Sequence, residues 1–122
     1  MCDCSDLVGK LYRLGADGSD GAIDCIHLVY TVLGRLGIPT PEFQADWYTA
    51  DIKTVLRDIH KWGRRVAQPQ YNGDVLLLRQ TGWGFAVVWQ DGILYVNGEL
   101  QKVAWSPLCA VQDCRSYRMK NN

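Results

Sequence analysis

Ile23-Asp24-Cys25-Ile26-His27-Leu28-Val29-Tyr30 places a cysteine where a loop gives way to a helix. Upstream, Gly15-Ala16-Asp17-Gly18-Ser19-Asp20-Gly21 sets three glycines among Asp and Ser, a composition that forms loop rather than regular structure. Downstream, Ile26, Val29, Val32, Leu33 and Leu36 recur at helical spacing, so the helix presses one face into a core. It ends near Gly37, a C-cap glycine with Pro39 and Pro41 just beyond. Cys25 falls in the first turn, where the positive end of the helix dipole and unpaired backbone N–H groups lower a thiol pKa. The competing reading of a lone cysteine is a small buried apolar residue.

On either side of this helix the pattern predicts two more. Residues 6–14 carry Leu7, Leu11 and Leu14 on one side, with Ser5 or Asp6 as N-cap. Residues 50–62 carry Ile52, Val55, Leu56, Ile59 and Trp62 in an amphipathic stripe that Gly63 stops. Beyond Pro69 the period changes from helical to extended, with strands expected over 74–79, 85–89, 93–96, 100–105 and 110–118. Asp91-Gly92 and Asn97-Gly98 read as tight type I′ hairpin turns. The layout is α+β, N-terminal helices packed on an antiparallel β-meander, in a single domain covering residues 1–122.

Composition narrows the function. Thirteen Lys and Arg balance thirteen Asp and Glu, so no net charge draws the chain to nucleic acid or an anionic membrane. No apolar run reaches the roughly 20 residues of a membrane span. Met1-Cys2-Asp3-Cys4-Ser5-Asp6 is acidic and lacks an apolar core, so no signal peptide is expected: the protein is made in a cytoplasm or has lost its leader. Five cysteines in a reducing compartment do not read as a disulfide framework. Cys2, Cys4, Cys109 and Cys114 cluster at the two chain ends and, if those ends meet, would supply soft ligands for zinc or an iron–sulfur cluster. Their spacing matches no common ligand motif; reduced, partly buried thiols and no cofactor are the expectation.

Several of these residues carry a family resemblance. Tyr12, Gly15, the Asp24-Cys25 pair opening a helix with Leu28-Val29, and Gly37-Ile38 followed by a proline resemble the N-terminal half of the NlpC-type cell-wall cysteine peptidases. Gly73-Asp74-Val75-Leu76-Leu77 resembles that family's Gly-Asp-apolar strand, and Pro41 to Trp47 with Leu78-Arg79 resembles its phage-tail and gene-transfer-particle branch. The resemblance implies a papain-like fold, Cys25 as nucleophile with Asp24 beside it, and cleavage of peptidoglycan stem peptides in active members. It also implies a histidine base opening the strand after the Gly-Asp strand, with an orienting residue twelve positions later. Phe85 stands at the base position and Asn97 at the orienting one.

A papain-like hydrolase needs an imidazole within hydrogen-bond reach of its thiol and a third group to orient it. Phe85 accepts no proton. Asn97 has a plain turn role in Asn-Gly, and Asp24 a plain capping role. His27, two residues from Cys25 on one helix, points to a different face; His60 reads as a surface histidine beside Lys61 and Arg64. The expectation is a phage tail or tail-tip component carried in the virion, catalytically degenerate, partnered by other tail or baseplate proteins or by peptidoglycan. The alternative is an active cysteine hydrolase whose base lies elsewhere. Trp47, Trp62, Trp83 and Trp105 serve as core or as interface anchors.

Overall fold

Among the described residues eight strands form one sheet in the order β2-β1-β7-β6-β5-β4-β8-β3, curled into a half-barrel. They are β1 (Leu11–Tyr12), β2 (Ala22–Ile23), β3 (Gly63–Val66), β4 (Val75–Arg79), β5 (Trp83–Trp89), β6 (Gly92–Asn97), β7 (Lys102–Pro107) and β8 (Cys114–Met119). The single helix among these elements, α1, is Cys25–Arg35. The structure, a computed structural model, describes residues 3–40, 57–58, 61, 63–79, 83–108 and 114–119. All strand pairings are antiparallel except β1 with β2.

This architecture corrects the expected α+β, papain-like arrangement of N-terminal helices on a meander: the described residues are mostly β, with α1 against a large curled sheet. The helix expected over 6–14 is instead a 3-10 turn, Ser5–Leu7, followed by β1. Gly9 explains the break, because its φ of 92° is a left-handed conformation that no helix continues through. Leu11 and Leu14, which the helical reading turned inward, are exposed. Of the helix expected over 50–62, Arg57, Asp58 and Lys61 have helical backbone and the rest lies outside the described residues. Gly63 opens β3 opposite Met119.

The meander itself is present as β4 to β7, and β8 adds to it, but not next to its sequence neighbour. It pairs with β4 on one side and β3 on the other. Alternation along the strands separates two apolar faces. Val75, Leu77, Val87, Leu94 and Tyr117 pack with Ile26, Val29, Val32 and Leu33 of α1. Leu76, Leu78, Ala86, Val88 and Ile93 form a second cluster on the opposite face. At about 1.5–3 kcal/mol for each large aliphatic side chain removed from water, these two clusters dominate the folding energy.

The turns differ in register from the sequence reading. Trp89 pairs with Gly92, so the two-residue turn is Gln90-Asp91, both at positive φ (50° and 59°). Gly92 is the first strand residue instead, and its missing Cβ leaves room for the indole of Trp105, whose Nε1–H donates to the Trp89 carbonyl at 3.0 Å. After β6, Asn97 pairs with Lys102, which leaves a four-residue loop in place of a tight Asn97-Gly98 turn. Ahead of β4, the buried Asp74 carboxylate accepts the Gln70 and Tyr71 N–H groups and both Nε and Nη2 of Arg118 at 2.9–3.1 Å. The Arg118 guanidinium lies 4.4 Å from the centre of the Tyr71 ring, fastening this turn to β8.

Candidate functional site

The helix start is built by Asp24. Its Oδ1 accepts the His27 backbone N–H at 2.8 Å, the N-cap bond expected of Asp before a helix, and its Oδ2 accepts the Gly15 N–H at 2.9 Å. Its own N–H donates to the Ala16 carbonyl at 3.0 Å, so one buried residue holds both the helix and the glycine-rich loop. His27 Nδ1 also lies 2.9 Å from Asp24 Oδ1. The imidazole Nδ1 therefore sits against the capping carboxylate.

Cys25 follows as the first helical residue, half-buried against the α1 core cluster together with Phe85. Burial pushes its thiol pKa above the ordinary 9.0, and the neighbouring Asp24 charge adds to the rise. Three backbone N–H groups oppose it, those of Phe85, Cys25 and Ile26. The expectation that the helix start would activate the thiol is corrected here: the N–H groups are present as foreseen, but desolvation of the thiolate outweighs them.

Phe85 thus stands beside Cys25, where the resemblance expects a base, and what reaches the sulfur from position 85 is the backbone N–H. Asn97 is not brought to this site. Phe85, Val87 and Trp89 face α1, as do Leu94 and Val96, whereas Ile93 and Tyr95 belong with the other cluster. By the period of two, Asn97 shares the face of Ile93 and Tyr95. Its side-chain oxygen accepts the N–H groups of Glu99 and Leu100, both at 3.0 Å, which caps the four-residue loop.

Tyr12 completes the surroundings of the sulfur and was not singled out by the sequence reading as a site residue. Burial raises its phenol pKa, with smaller contributions from the charges of Cys25 and Asp24, which places it within electrostatic reach of both. The signal available in the sequence was its place among the residues carrying the resemblance. His60 lies outside the described residues.

The cysteines at the chain ends do not converge as far as they are described. Cys4 packs into the α1 cluster and Cys114 against the cluster on the other face of the sheet. Cys2 and Cys109 lie outside the described residues, and among the described ones no group of His, Cys, Asp and Glu side chains is arranged to hold a metal ion. Nor is any helix among them long and apolar enough to cross a membrane.

Chemically, the site offers a desolvated thiol, a phenol and a carboxylate already engaged in capping. No protein-family model and no curated protein sequence matches this chain.

Proposed function

We propose that the chain is a catalytically silent relative of the NlpC-type cell-wall cysteine peptidases, carried in the virion as a structural or binding component of a phage tail or tail tip. The observation that supports it best is the pairing of a half-buried Cys25, its thiol pKa raised by desolvation, with Phe85 at the position of the base. The resemblance rests on Tyr12, the Asp24-Cys25 helix and the Gly73-Asp74 strand, not on the helix-rich architecture first expected. In these motifs the residues have structural work that survives without catalysis. Asp24 caps α1 and pins the loop, while Asp74 fastens a turn to β8. Partners are then other tail or baseplate proteins, with peptidoglycan as a surface to be bound rather than cut.

A genetic comparison in the particle-producing host tests this role. Deleting the chain lowers the yield of complete tails, and Cys25→Ala restores it to the wild-type level. Particles that assemble normally without the chain, or that lose infectivity with Cys25→Ala alone, would overturn the proposal.

A further inference from the structure

The strand β3 ends the sheet: β8 pairs with one side of it, and among the described residues no strand pairs with the other. Alternate residues of such a strand turn N–H and C=O away from the partner they already have, leaving a row able to receive an added strand. Its sequence is Gly63-Arg64-Arg65-Val66, with both arginines exposed. They point to opposite faces, Arg64 beside Arg118 and Arg65 beside Tyr117.

Like charges directly across a pair of strands repel. Arg118 is relieved by Asp74, which takes both ends of its guanidinium fork, whereas Arg64 meets no carboxylate among the described residues. Neither Arg64 nor Arg65 is in an ion pair among the described residues. Just upstream, Arg57 is exposed and Lys61, 71% exposed, lies a loose 3.8 Å from Asp58. A chain of zero formal charge therefore carries two exposed arginines on this edge strand.

We propose that the β3 edge binds an extended acidic segment of a partner protein by strand addition, with carboxylates on both faces of the added strand meeting Arg64 and Arg65. Edge arginines ordinarily guard against strand addition, and they do so selectively. A second copy of this chain added antiparallel through β3 brings arginine against arginine, and a basic segment does the same. An acidic strand alone turns both guards into contacts, with main-chain bonds supplying affinity and alternate side chains specificity. The inference stands on β3 and not on Cys25, so its failure leaves the proposed function untouched.

The test uses the whole chain and two synthetic peptides, one alternating Val and Glu and one alternating Val and Lys, with binding read by fluorescence anisotropy and strand addition by amide hydrogen exchange over residues 63–66. The expected result is binding of the Val-Glu peptide alone, with slowed exchange in β3. Reversing both charges, Arg64→Glu with Arg65→Glu, weakens that peptide roughly tenfold or more and admits the Val-Lys peptide. Both sites are exposed, and circular dichroism checks that the variant folds. Equal binding of the two peptides, no binding, binding without slowed β3 exchange (a heparin-like attraction to charge alone), or dimerisation of the chain through β3 would each overturn the proposal.

Discussion

Replacing Phe85 by His places an imidazole at the position whose backbone N–H meets the Cys25 sulfur, and the size of the response follows from the site. With a thiol pKa no lower than its ordinary 9.0, the thiolate fraction at about pH 6 is at most ~0.001. A thiol paired with an imidazolium has a pKa of roughly 3.5–7.5, so a shift to about 6 raises that fraction to about one half, some ~500-fold. Nucleophilicity falls with pKa at a Brønsted slope near 0.45, which takes back a factor of about 20 over three units. The net acceleration expected for Phe85→His is therefore ~25-fold in alkylation of Cys25 by iodoacetamide near pH 6, reversing in alkali, where both thiols are ionised and the lower-pKa thiolate is the weaker nucleophile. Mass spectrometry of the peptide containing Cys25 separates it from the other four cysteines. The half-buried ring is lost from the core edge, at a cost of about 1–3 kcal/mol, so urea unfolding of the variant accompanies the rates. No acceleration at Cys25, in a variant that folds, would refute the placement of position 85 against the thiol.

Other consequences are open to direct measurement. Asp74→Ala leaves the Arg118 guanidinium without its carboxylate and two N–H groups without an acceptor, and lowers stability by about 3–5 kcal/mol in urea unfolding. Gly92→Ala drives a methyl group into the Trp105 indole, costs about 1–3 kcal/mol, and shifts tryptophan emission as the ring leaves its bond to Trp89. Stability is also expected to fall in alkali. Cys25 and Tyr30 are both pushed up by burial, the phenol to about 12, so each holds its proton longer in the folded than in the unfolded chain. That contribution is intact below the ordinary values of 9.0 and 10.0 and is lost as pH rises through the folded ones; Cys25→Ser removes the earlier part of the loss.

The parts of this fold that sequence made legible are those carried by long periodic runs. Ile26, Val29, Val32 and Leu33 read as one buried helical face and are one, and the alternating runs from Val75 to Trp105 read as a meander and form one. Two-residue strands such as β1 and β2 carry no period, and Leu7, Leu11 and Leu14 mimic a helical stripe that Gly9 interrupts. Sheet order was hidden for another reason: β3 and β8 come together across more than forty residues of sequence, with no local pattern recording it.

At the site, residue identities were legible and environments were not. Asp24 caps the helix, and the Phe85 backbone N–H meets Cys25. The twelve-residue count to Asn97 failed on parity, because a two-residue turn at Gln90-Asp91 sets Val96, not Asn97, on the face that Phe85 occupies. The direction of the thiol shift failed on magnitude: a helix start contributes a few tenths to about 1 kcal/mol, less than the cost of drying a thiolate.

The central claim is that Cys25 no longer supports hydrolysis. Release of amino groups from peptidoglycan stem peptides, followed for purified wild type beside Cys25→Ala, tests it most directly. The account predicts identical background rates for the two proteins. Turnover by wild type that disappears in Cys25→Ala would contradict it.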